Sequence, residues 1–379
     1  EAVVSATLAN VSAQRGASTT LLGAAFALLG LGSIMVYSTT APLALGSFIP
    51  PHLARHGVGL LLGLTTAWLL SRVPLRVLRF AAPVLFVATL LALAAVPFIG
   101  VRVNGAQRWL ALPGVGVFQP GELAKFATVL WVAVLASCRG AAAADAEPGK
   151  RGREESAARM TRQNVIFCLC AGAVPAGLLL LQPDFGNAAL LLLLVMLVLF
   201  AAGAPLRWLA LPSAVGTALG AIFVLLHPYA LRRWVGFMDP WAAANSEGFQ
   251  LVQSFVAFAR GGPLGVGLGY GRQKLHYLPE AHTDFVLSVI AEELGLAGVA
   301  LVLIAFAVLF GAGLRIALKA EARFATLVAF GMTLLIVVPA LVNAAVVMGV
   351  LPTKGLSLPF LSYGRSSLVV SCAAVGVIW

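Results

Sequence analysis

Apolar runs of membrane-spanning length recur along the whole of this sequence, separated by short polar breaks. In lipid such a run of about 20 residues has one stable single-segment solution, a helix that satisfies its own N–H and C=O groups, because hydrocarbon offers them no partner. The runs fall near 19–39, 56–71, 78–99, 122–138, 164–181, 187–203, 206–226, 284–312, 323–349 and 362–379. They predict an all-α polytopic membrane protein with about ten transmembrane helices, forming a single integral membrane domain over 1–379. Apolar residues fill both parities of each run, which excludes a β-barrel. With 60% hydrophobic and 10% charged residues and a mean hydropathy of +0.98, a soluble globular domain is excluded too.

Basic residues cluster in alternate breaks: Arg72, Arg76 and Arg79; Arg139 to Arg162; Arg207; then Arg315, Lys319 and Arg323. The positive-inside rule makes these breaks cytoplasmic, and an even number of spans then leaves both termini there. Residues 1–18 read as a cytoplasmic segment without the layout of a signal peptide, and an end at Trp379 inside an apolar run points to a trimmed sequence. Residues 139–163, rich in Ala, Gly and charge, read as a flexible cytoplasmic loop, and 227–283 as a large external loop. Cys138, Cys168, Cys170 and Cys372 show no metal-ligand spacing and read as packing residues.

The outer side carries cations that the rule does not ask for: Arg102 and Arg108, with Lys125 in the next helix, then Arg232, Arg233, Arg260, Arg272 and Lys274. They point to an anionic ligand; the plainer alternative is that long loops cross whatever their charge. Lys354 adds a further outward cation in Leu351-Pro352-Thr353-Lys354-Gly355, where Pro and Gly prevent a continuous helix. His282-Thr283-Asp284-Phe285 places a carboxylate at the mouth of a membrane helix, where a charge costs about 2.5–3.5 kcal/mol if drawn into lipid. Glycosyl transfer by direct displacement needs one carboxylate to take a hydroxyl proton and cations to stabilise a phosphorylated leaving group. Asp284 fits the first role, and Lys274, Arg232 and Arg233 fit the second; equally, Asp284 could simply cap the following helix.

Glu122 and Lys125, three apart, share a helix face and either neutralise each other or line a polar cavity. Of Glu292 and Glu293, which point about 100° apart, at least one is expected to be buried and structural. The glycines at 261, 262, 265, 267, 269 and 271 suit either an anion cradle or a bent re-entrant segment. Ser362, Ser366 and Ser367 either cap the last helix, bond across it or touch substrate.

These residues resemble the SEDS family (shape, elongation, division, sporulation), most closely its division branch. The likeness runs from about residue 20 to the end. It is carried by Val103-Asn104-Gly105-Ala106 with Arg108-Trp109, Phe118-Gln119-Pro120 with Glu122-Leu123-Ala124-Lys125, Gln182-Pro183-Asp184-Phe185-Gly186, Asp239-Pro240-Trp241, the Gly-rich stretch, 278–285 and 351–364. Gly121 and Arg365 depart from the family pattern, which usually has Ser and Gly there. The resemblance implies a ten-span peptidoglycan glycosyltransferase that polymerises lipid II on the outer face of a bacterial cytoplasmic membrane, at the division septum. It places the essential acid on Asp284 and the family's Glu and Lys on Glu122 and Lys125. It also implies a class B penicillin-binding protein transpeptidase and other divisome membrane proteins as partners. The expected substrate-binding set is Lys274, Arg232, Arg233, Glu122, Lys125, Arg108, Lys354 and His282. No cofactor is identified, though a divalent cation, Mg or Mn, could share the leaving-group charge. A lipid II flippase and a scaffold for the transpeptidase are the competing readings.

Overall fold

The computed structural model describes residues 2–41, 50–103, 106–112, 116–138 and 160–379. Asn104, Gly105 and most of the expected cytoplasmic loop at 139–163 lie outside them. Each of the ten apolar runs is a helix: α1 (Ala2–Thr40), α2 (Pro51–Ser71), α3 (Leu75–Ile99), α4 (Pro120–Ser137), α5 (Arg162–Leu181), α6 (Phe185–Ala201), α7 (Leu206–Leu226), and later α10 (Val286–Lys319), α11 (Arg323–Val347) and α12 (Arg365–Ile378). Eight are long and apolar enough to cross a membrane, and α6 and α12 are shorter apolar helices. Side chains such as Phe80, Phe98 and Leu226 are largely uncovered, as lipid-facing positions should be. The protein is a multi-pass membrane protein.

The connections at one end are elaborate. Between α3 and α4 runs a three-stranded antiparallel sheet, β1 (Val101–Val103), β2 (Ala106–Leu112) and β3 (Gly116–Phe118), paired in sequence order. The sequence expectation of a purely helical chain lacked this sheet. Between α7 and α10 lie two amphipathic helices, α8 (Pro228–Met238) and α9 (Phe249–Gly261), and a π-helical turn at Gln273–Tyr277. At the opposite end the links at 72–74, 202–205 and 320–322 are short, and Arg323 donates to the Ala202 carbonyl at 2.7 Å.

Without a hydrophobic force between helices in lipid, close approach depends on small residues. Gly59 and Gly63, one turn apart on α2, face Arg365 and Cys372 of α12, and Gly376 lies against the Ala67 backbone. The most buried spans are α4 and α11, 78% and 67% covered, while α7 is 6% covered and stands at the margin. Its outer end is held by a ring stack in which Phe223 lies 3.6 Å from Phe185 and 3.5 Å from His227.

Two repairs of broken helices follow from elementary hydrogen-bond accounting. Pro97 has no N–H for the carbonyl four residues back, and that carbonyl, of Leu93, accepts instead from Gln182 Nε2 at 2.8 Å. In α10 the chain leaves helical geometry at Gly295 (φ 68°). The Gly-rich loop fills the gap: Val266 and Gly267 N–H donate to the Glu292 and Glu293 carbonyls at 3.0 Å, and Leu296 and Ala297 N–H donate to Gly262 and Pro263 at 2.9 and 3.0 Å. A Cβ at Gly265 (φ 81°) would lie 2.2 Å from the Glu293 carbonyl oxygen, so only glycine admits this approach.

Candidate active site

Asp284 follows a tight reversal in which the N–H groups of Thr283, Asp284 and Phe285 all point at the Glu280 carbonyl, at 3.1–3.3 Å. Glu280 itself sits at φ 56°, a conformation a non-glycine residue adopts only when its surroundings enforce it. The start of α10 receives no side-chain cap, so Asp284 does not serve as one. Its carboxylate is half-buried and has no hydrogen-bond partner among the described residues. Its nearest wall is Gly355, where a Cβ would come within 2.8 Å of Oδ2. Burial first, and Glu280 second, push its pKa from 3.8 up to about 7, against the pull of Arg233.

Three cations from three elements adjoin one another here, and of them Arg233 acts on Asp284. Arg233, on α8, reaches the Thr353 carbonyl at 3.5 Å and acts electrostatically on both Asp284 and Lys354. Lys354, in the loop between α11 and α12, lies along Gly186 at the start of α6. Burial lowers its pKa, Asp184 opposes that, and Arg233 and Arg108 add to it. Arg108, on β2, donates to the Gln182 carbonyl at 3.1 Å and to that of Pro183, and pairs with Asp184 at 3.9 Å.

Asp184 is the hub behind these cations. It accepts from Asn187 Nδ2 at 2.8 Å and Gln119 Nε2 at 3.2 Å. Asn187 in turn accepts from Lys125 Nζ at 2.9 Å, which pairs with Glu122 at 2.7 Å. A bonded polar chain therefore runs from Glu122, inside the bundle, through Lys125 and Asn187 to Asp184 and Arg108, and beyond it Lys354, Arg233 and Asp284 act on one another electrostatically. Glu122 and Lys125 also line a small cavity with Ser357, Ser367 and Ser371, with room for about one water molecule. Ser366 accepts from the Gln119 N–H at 2.9 Å, which ties α12 to the head of α4.

Other expected site residues are placed elsewhere. Lys274 is buried against Glu293 at 2.6 Å and Ser38 at 2.8 Å. Glu292 accepts from the N–H groups of Arg272 and Gln273 at 3.0 Å and pairs with Arg260 at 3.4 Å. Both glutamates are fully buried and structural, and the backbone N–H groups near the glycines cradle these carboxylates. Arg232 forms an exposed pair with Glu247 at 3.1 Å. His282 meets the His52 ring edge-on, with centres 6.0 Å apart, and the Tyr363 ring at a tilt, with centres 5.7 Å apart. Arg365, the departure at the head of α12, carries its stem past Gly59 to a guanidinium beside Gly116 of β3.

Among the described residues, no three His, Cys, Asp or Glu side chains gather as metal ligands. Sequence reasoning missed two contributors. Asp184 appeared only as part of a motif, and Asn343, which donates to the Asp284 carbonyl, was passed over although it is a lone amide in an apolar span.

Comparison with known proteins bears on this arrangement. A profile of the family described as Cell cycle protein (FTSW_RODA_SPOVE) matches residues 19–379. The chain is 40% identical over 362 residues to the Probable peptidoglycan glycosyltransferase FtsW of Coxiella burnetii, covering 93% of this chain and 92% of that one. It is 42% identical over 365 residues to the protein of the same name from Nitrosococcus halophilus, covering 94% and 90%. A chain from a peptidoglycan synthase complex, solved to describe how polymerization and crosslinking are coordinated, superposes with a TM-score of 0.72 at 30% identity, covering 94% of this chain and 95% of that one. The rod shape determining protein RodA of Thermus thermophilus superposes with a TM-score of 0.64 at 29% identity, covering 94% of each chain.

Proposed function

The chain belongs to the FtsW/RodA/SpoVE family of cell cycle proteins, and from that premise we infer the chemistry of its site. It is a peptidoglycan glycosyltransferase. We propose that it polymerises lipid II at the outer face of a bacterial cytoplasmic membrane during septal wall synthesis, beside a class B transpeptidase and other divisome membrane proteins. The observation that carries the mechanism is Asp284: a carboxylate without a hydrogen-bond partner among the described residues, poised near neutral pH, with Arg233 acting on it and Gly355, next to Lys354, as its wall.

Asp284 takes the proton of the acceptor sugar's hydroxyl as that oxygen attacks the anomeric carbon of the donor. The new C–O bond forms as the bond from that carbon to the lipid diphosphate breaks, with inversion. The departing diphosphate keeps the electron pair, and Arg233, Lys354 and Arg108 stabilise its charge. The proton on Asp284 then passes to water, which resets the base. Glu122 and Lys125 act through Asn187 and Asp184 to hold Arg108 and Lys354 facing the diphosphate. Lys274 and Arg232 brace the external loop, through Glu293 and Glu247.

The test is polymer formation from purified lipid II, with and without a class B transpeptidase. Asp284→Ala should form no glycan, and the double replacement Arg233→Gln with Lys354→Gln should lose at least 10-fold in kcat, in line with loss of leaving-group stabilisation. Glycan made by Asp284→Ala at the wild-type rate would refute the assignment of the base.

A further inference from the structure

Asn343 sits in the apolar interior of α11 and is 1% exposed. Its Nδ2 donates both hydrogens across two separate segments, to the Asp284 carbonyl at 2.8 Å and the Leu356 carbonyl at 2.6 Å. Two carbonyls converging on one atom leave the amide a single sensible orientation, since its oxygen cannot face them. That orientation strands Oδ1, which is buried with no partner among the described residues. An orphaned acceptor costs about 1–3 kcal/mol, and so costly a group in an otherwise apolar helix calls for an explanation beyond packing.

Its placement supplies one. Leu356 follows Gly355, which forms the wall against the Asp284 carboxylate, and Lys354, which lies among the cations. Thr353, one residue earlier, accepts from Arg233. On the reading that Asp284 is the base, we propose that Asn343 is a positioning residue: from a rigid helix it clamps the Asp284 segment to the loop at 351–364 and fixes how far the carboxylate stands from Arg233 and Lys354. Sites held by helices keep their geometry better than sites held by loops, and α11 is among the most buried spans.

The experiment measures initial polymerisation rates against lipid II concentration for the full chain purified with its transpeptidase. Asn343→Ala, Asn343→Asp, Asn343→Gln and Asp284→Asn are compared, each normalised to the folded, monodisperse fraction. A loosened base loses about 10- to 100-fold in rate. Asn343→Ala and Asn343→Asp should therefore lose that much in kcat with KM within about threefold, because the interaction acts at the transition state and not on substrate affinity. Asn343→Gln keeps both donors and should recover part of the rate. A wild-type kcat in Asn343→Ala, a loss confined to KM, or a loss fully accounted for by unfolded protein overturns the clamp while Asp284→Asn stays inactive. Turnover by Asp284→Asn instead overturns the base, and the clamp with it.

Discussion

Replacing Asp284 by Asn should abolish polymerisation and at the same time make the protein harder to unfold. The carboxyl has its pKa raised from 3.8 to about 7 in the folded state, chiefly by burial. Between those values the folded chain binds a proton that the unfolded chain does not, so stability falls as pH rises through the window and the full cost is present above about pH 7. Three units correspond to about 4 kcal/mol; water still reaches this half-buried group, which brings the figure to about 1–3 kcal/mol. Asparagine keeps the shape and removes the charge. The variant should unfold a few degrees above wild type at pH 8, and the advantage should shrink as pH falls from 7 towards 4. With the exposed Cys138 and Cys170 replaced by Ser in both proteins, a thiol-reactive dye reads this, because Cys168 and Cys372 are buried in the folded chain. Wild-type turnover measured alongside should fall about tenfold per pH unit below the same midpoint, as a base becomes protonated. A variant less stable than wild type at pH 8, or one stabilised equally at pH 8 and pH 4, would refute the argument that Asp284 is held at a cost.

Gly355→Ala places a methyl 2.8 Å from Asp284 Oδ2; displacement of the base should lower kcat about 10- to 100-fold with little change in unfolding temperature, measured by glycan synthesis and the same dye. Lys274→Met takes the cation from fully buried Glu293 and leaves it only the Ser38 hydroxyl and the Gly269 N–H, which costs about 3–5 kcal/mol. Thermal unfolding should report that loss, and adding Glu293→Leu should restore most of it.

The ten spans were legible because about 20 apolar residues in a row leave a chain few choices. Asp284 was legible because a lone acid at a membrane helix demands a reason. Its neighbours were only partly so. Counting cations along 227–283 gives Lys274 the same standing as Arg233, yet Glu293, on the following helix, pairs with the first, while the second acts on Asp284. Partners that distant in sequence cannot be read from spacing. Asp184 stood in a recognisable motif, but its role depends on Arg108 from the sheet and Lys354 from the last external loop. The sheet escaped notice because its outer strands are three residues each, too short for alternation to register. For the glycines two readings stood open, and the close approach to α10 decides for a bent, docked segment.

The interruption at Gly295 divides α10 into a short outer piece that follows Asp284 and a long strut that runs on to Lys319. The loop at 262–267 is stitched to both pieces, to the Glu292 and Glu293 carbonyls before the break and to the Leu296 and Ala297 N–H groups after it. Bilayers differ in thickness, and a long helix answers by changing its tilt. Because that loop bridges Gly295, a lean of the strut carries over to the piece that follows Asp284, so on the proposed mechanism the polymerisation rate should vary with bilayer thickness.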